Sequence, residues 1–236
     1  MASSYSFTTN ETNPRCCFEV ITRVAMSFSK EFWDNFWSSH TEQTVEWYDD
    51  YKDWIELLLK YTNPETHPKA LVVGCGNSKL GEKLFSSGYK YIMNVDYCSN
   101  VIQYMNQNNI YSPYVLYANA DVCRLTEDQD KWYPKDWNGE AKFDIIIDKG
   151  TFDSIYSTDQ IKWSIASMLT ECSKILESKG ILAIITAQSP SQLQEYFSRT
   201  WEVVCASEFE KRSLSSDSTD SYNPHSLCSC FILRKK

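Results

Sequence analysis

The sequence predicts an α/β domain: a mostly parallel sheet with helices on both faces and an antiparallel pair at its C-terminal end. Three observations carry that expectation. From Lys69 onward, strand-like runs alternate with helix-like ones. The first of these strands stops at a glycine turn that opens a helix, in "LVVGCGNSKLGEKL" at 71–84. The last two strand-like runs are joined by a Ser/Asp-rich link rather than by an apolar helix pattern. The 236 residues, 42% of them hydrophobic, suffice for one sizeable core, and no internal repeat marks a second one.

Residues 1–62 read as an N-terminal tail and helical flap. "FWDNFWSSH" and "VEWYDDYKDWIELLLKY" carry Trp, Tyr, Phe and Leu at the mixed three- and four-residue spacings of amphipathic helices, with the acidic "DDYKDW" as a solvated face. "TNPETHP" then breaks helix with two prolines and opens the core, 63–236. Strands are expected at "KALVV", "YIMNVD", "YVLYANAD", "FDIIID" and "GILAIITA". Between and after them come the helical "KLGEKLFSSG", "SNVIQYMNQ", "TDQIKWSIASMLTECSKILESKG" and "SPSQLQEYFSRT", the third stopping at Gly180. "WEVVCASEFE" and "SLCSCFILRK", linked by "KRSLSSDSTDSYNP", suit an antiparallel pair around a long loop.

Composition narrows the function. Against 23 basic residues stand 31 acidic ones, a net charge of −8, which opposes a chain that lives by neutralising phosphates and suits a basic protein partner. The nine cysteines are odd in number and scattered, several in apolar runs where Cys is a small buried hydrophobe; a reducing compartment is expected. The N-terminus shows no basic segment followed by an apolar run, and no window reaches membrane-span length, so a cytoplasmic location with no membrane partner is expected; a monomer is also expected. No metal site is expected: neither Cys16-Cys17 nor Cys228-x-Cys230 has zinc spacing, and His40, His67 and His225 are far apart.

The glycine turn defines the ligand. A strand ending in Gly-x-Gly before a helix admits a ligand close to the backbone and offers it free N–H groups. The dinucleotide fingerprint fails because Lys79 stands where the third glycine belongs, and the Walker pattern fails because Glu82-Lys83 follows Gly81. A nucleoside without pyrophosphate remains. Asp96, closing the next strand, is placed to accept both ribose hydroxyls. Asp121 with the Val122 N–H is placed to read an adenine edge. "FDIIIDKGTFDS" delivers Asp148, Lys149, Gly150 and Thr151 to the same edge of the sheet.

Together these residues resemble the class I S-adenosylmethionine-dependent methyltransferases, whose Rossmann-like, three-layer, seven-stranded sheet ends in an antiparallel hairpin. "GCGNS" at 74–78, "DKGTFD" at 148–153, "FWDNFW", "EWYDDY" and "NVDYCSNVI" are similar to the branch that holds the elongation factor 1-alpha lysine methyltransferases. The likeness covers about residues 30 to 190. It implies S-adenosylmethionine as cofactor, with Trp33, Trp37 and Trp47 covering it from the flap and Gly74 beneath it. It also implies Asp96 and Tyr97 at ribose and adenine, Asp121 and Val122 at the adenine edge, and Lys149 near the methionine part. Two departures stand out: Val72 occupies a place where many class I enzymes have an acid, and Trp37 one where tyrosine is usual. Asp148 is the residue expected nearest the substrate amine, and Asp153 is read as structural. The implied activity is protein-lysine methylation, with elongation factor 1-alpha as the suggested substrate. A small-molecule or nucleic-acid methyltransferase and a non-catalytic binding module are the alternatives.

Overall fold

The computed structural model describes residues 29–48, 51–137, 139–156, 161–197, 200–210 and 227–236. The tail 1–28, the acidic pair at 49–50 and the Ser/Asp-rich link lie outside the described residues.

Seven strands form one sheet in the order β3-β2-β1-β4-β5-β7-β6. They are β1 (Lys69–Val73), β2 (Tyr91–Asp96), β3 (Val115–Asn119), β4 (Phe143–Lys149), β5 (Leu176–Thr186), β6 (Trp201–Glu210) and β7 (Leu227–Lys235). The first five pair in parallel, and β7 runs antiparallel to both β5 and β6. The central strands read as unbroken apolar runs because both faces are covered. One face packs with Trp54, Leu58 and Leu84, the other with Trp132, Phe152 and Phe197. Among the described residues the helices are α1 (Lys30–His40), α2 (Tyr51–Tyr61), α3 (Leu80–Ser86), α4 (Ser99–Gln107), α5 (Gln129–Trp132), α6 (Thr151–Tyr156), α7 (Ile161–Ile175) and α8 (Pro190–Phe197).

Register is what positions the site. Val73 pairs with Val95 on one side and Asp148 on the other, and Asp96 pairs with Asn119. The carboxyl ends of β1 to β4 therefore reach one level, and the chain leaves β1 toward β2 on one side and returns to β4 on the other. Open α/β sheets bind ligands in that kind of crevice.

Three expectations are corrected. The helix expected to stop at Gly180 ends at Ile175, and Gly180 lies inside β5. A Cβ there would stand 2.8 Å from the Asp144 carbonyl oxygen, so this glycine answers the close approach of β4 and not a helix end. Among the described residues the flap is helical over α1 and α2: residues 41–48 between them are irregular, with Asn77 bonding backbone groups of Thr41, Gln43 and Val45. The strand expected to run to Asp121 ends at Asn119, and Asp121 caps a single turn of 3-10 helix at Val122–Arg124.

Candidate functional site

The turn after β1 owes its shape to its two glycines. Gly74 and Gly76 have φ of 56° and 49°, in the left-handed region that L side chains resist. A Cβ on Gly74 would come within 1.9 Å of Thr151 Oγ1, which donates to the Val73 carbonyl at 3.0 Å. A Cβ on Gly76 would meet Trp37 Cζ2 at 2.6 Å. The turn is thus pressed between the start of α6 and the flap.

Asp96 steadies the turn from β2. Its Oδ2 accepts the Gly76 N–H and its Oδ1 the Cys98 N–H, each at 2.9 Å. Burial pushes its carboxyl above the ordinary value, and the backbone donors only partly offset this. A carboxylate offers about four acceptor sites, so Asp96 keeps capacity for ligand hydroxyls.

Around the turn lies a cavity of about 510 Å³, within the usual range for small-molecule sites. The nine residues expected to meet the ligand all line it. Asp96 and Tyr97 stand at the end of β2, and Asp121 and Val122 beyond β3. Gly74 forms the floor, Trp33, Trp37 and Trp47 come from the flap, and Lys149 closes β4. The tryptophans form one aromatic wall: Trp33 stacks with Trp37 at 6.4 Å between ring centroids and meets Trp47 edge-on at 5.9 Å. Trp33 Nε1 also donates to Ser154 Oγ at 2.8 Å.

Asp148 is not part of that lining. It is fully buried, its Oδ2 accepts the Phe152 N–H at 2.9 Å, and Oδ1 has no hydrogen-bond partner. Burial pushes its carboxyl well above the usual range. The reason is strand alternation: successive side chains of β4 point to opposite faces, so Lys149 reaches the cavity and Asp148 does not. Asp153 is structural, accepting from the Tyr48 hydroxyl at 2.9 Å and the Thr186 hydroxyl at 2.7 Å. It ties the flap to the end of β5.

The sequence reading missed what binds the irregular strap, residues 41–48, to the sheet. Asn77 accepts the Val45 N–H at 2.8 Å and donates to the Thr41 and Gln43 carbonyls at 3.0 and 2.6 Å. Glu46 Oε1 accepts the Lys79 N–H at 2.7 Å, and its Oε2 accepts from Ser78 Oγ at 2.7 Å and Lys149 Nζ at 2.9 Å. Lys149 Nζ also donates to the Trp47 carbonyl at 2.7 Å. Burial opposes ionisation of Glu46, but the Lys149 ammonium and the three donors outweigh it and hold the carboxyl below its ordinary value. Glu46 opens the "EWYDDY" motif and Asn77 and Ser78 belong to "GCGNS", but nothing in the sequence shows that the two motifs meet. Trp163 was also missed: it stands at the rim, 67% exposed and still lining the cavity.

Comparison with known proteins bears on this arrangement. No protein-family profile matches the chain. The SAM-dependent methyltransferase of Anabaena variabilis superposes with a TM-score of 0.59 over 86% of this chain and 93% of its own, at 12% identity. The chain shares the fold of that methyltransferase. Within that fold its sequence is similar to the eEF1A lysine and N-terminal methyltransferase of Danio rerio, 30% identical over 189 residues. It is also similar to EEF1A lysine methyltransferase 4 of Bos taurus, 28% identical over 171 residues. These alignments take in 78% and 68% of this chain. The chain spans a quarter of the length of the first relative and 61% of the second. Among the described residues, no helix is long and apolar enough to cross a membrane, and no cluster of three or more His, Cys, Asp or Glu could hold a metal.

Proposed function

We propose that the chain is an S-adenosylmethionine-dependent protein-lysine methyltransferase acting on elongation factor 1-alpha. The observation that carries the reading is one cavity spanning the ends of β1 to β4, with the glycine turn as floor, Asp96 on one side and Lys149 on the other. The residues fit the cofactor. Only a glycine turn lets a ligand lie against this backbone, and Asp96 retains acceptor capacity for a ribose. The cavity ends by β2 and β3 suit the nucleoside, and the aromatic wall and Lys149 suit the sulfonium and amino-acid parts.

The bound cofactor supplies an activated methyl group for in-line displacement. The chain's own task is then to align the acceptor amine and exclude water. Trp33, Trp37 and Trp47 form a low-polarity wall that favours the neutral, nucleophilic lysine, while their ring faces tolerate the cationic product. No dedicated base is required, which agrees with the burial of Asp148. The relatives' names and the net charge of −8 both support a basic protein substrate over nucleic acid. The cytoplasm suits a chain whose described cysteines are all free thiols.

The test is to incubate the protein with methyl-labelled cofactor and purified elongation factor 1-alpha, then map the label by mass spectrometry. Methyl-lysine on the factor is expected. Label on RNA or on a small molecule, with none on the factor, overturns the substrate assignment.

A further inference from the structure

We propose that Glu46 is a positioning residue for the amino-acid end of the cofactor, holding the Lys149 ammonium where the ligand carboxylate meets it. This rests on the cofactor reading above. The order β3-β2-β1-β4 lays an extended ligand out: a nucleoside over the ends of β2 and β3 leaves its tail over β1 and β4. Of the charged side chains lining the cavity, Asp96 and Asp121 stand at the nucleoside end. Lys30 joins them there, 5.4 Å from the Tyr97 ring centroid. Among the described residues lining the cavity, Lys149 is the charged side chain at the other end.

The Lys149 side chain is only 6% exposed and that of Glu46 16%, so a counter-charge stabilises the buried ammonium. Glu46 supplies it and is itself immobilised, since its two oxygens also bind Ser78 and the Lys79 N–H at the start of α3. Three elements meet at this carboxylate: the strap, the glycine turn and the end of β4. Without it, Lys149 loses a contact that fixes its ammonium beside the cavity, and the side chain can turn away from the ligand's tail. That takes the positive charge from the tail and leaves the nucleoside contacts in place.

Calorimetry with two ligands tests this. S-adenosylhomocysteine carries the amino-acid tail; 5′-methylthioadenosine keeps the nucleoside and sulfur but lacks it. E46Q, near-isosteric and uncharged, should bind the first about tenfold more weakly and the second within about twofold of the unchanged protein. K149M should show the same selectivity, and E46Q/K149M no further loss, because both act through one charge. Thermal melts check folding. If E46Q does not fold, the double variant, which has no ammonium at this position, carries the comparison with K149M. Equal loss of both ligands would make Glu46 a fastener of the strap only, and unchanged S-adenosylhomocysteine binding would remove it from the site; either result overturns the proposal. Failure of the unchanged protein to bind either ligand overturns the cofactor reading itself, and the proposal with it.

Discussion

The two ends of the cavity are built differently. At the nucleoside end, each residue sits where its own strand stops: Asp96 and Tyr97 after β2, Asp121 and Val122 after β3. At the other end, Lys149 is held by Glu46, 103 residues earlier in the chain. The first end is made by local sequence plus sheet register; the second is made by a long-range pairing between an irregular strap and the sheet. The difference teaches which parts of a site are encoded locally.

The largest expected effect breaks both ends at once. Gly74→Ala forces a Cβ into Thr151 Oγ1 at a positive φ and should cost about 2 to 4 kcal/mol of stability, read as a lower urea midpoint. A variant as stable as the parent would show that the turn has room the geometry denies. Next is Asp96→Ala, which should weaken S-adenosylhomocysteine and 5′-methylthioadenosine alike by about 1.5 to 3 kcal/mol. Loss confined to the tail-bearing ligand would place the ribose elsewhere and blur the two ends.

Acidification should separate the ends by sign. Glu46 is held below its ordinary 4.5; its contribution to stability is present above that value and lost as pH falls through the lowered one. Asp96 is raised above 3.8 by burial; its ionised form costs stability at neutral pH, and the cost is relieved as pH falls through the raised value. A carboxyl NMR titration should find midpoints displaced in opposite directions from these references, and displacement in the same direction would contradict the contrast. The smallest effect belongs to Asp121→Ala. This side chain is exposed and caps the Cys123 N–H at 2.9 Å, so calorimetry should show a loss of about 1 kcal/mol or less in S-adenosylhomocysteine affinity.

Legibility in the sequence follows the same division. β1 and β2 coincide with their apolar runs, because a strand buried on both faces has little choice of composition, and the acids that close β2 and follow β3 fall out of the same pattern. Gly180 misled because a glycine ending a helix and a glycine under a neighbouring strand read alike without tertiary contacts. The strap misled for a related reason. "VEWY" has a helical rhythm, yet Asn77 takes the backbone groups a helix would need, and Tyr48 is left at φ 58°. Asp148 and Lys149 are adjacent in sequence, and only the observed side assignment of β4 separates a buried carboxyl from a cavity-lining ammonium.

The central claim is that this cavity holds a nucleoside with an amino-acid tail and no pyrophosphate. Calorimetric titration of the whole chain with S-adenosylhomocysteine, and separately with NAD, tests it most directly. Binding of S-adenosylhomocysteine at the micromolar scale and none of NAD is the expected result, since Lys79 stands where the dinucleotide turn requires its third glycine. Binding of NAD without S-adenosylhomocysteine would contradict the account.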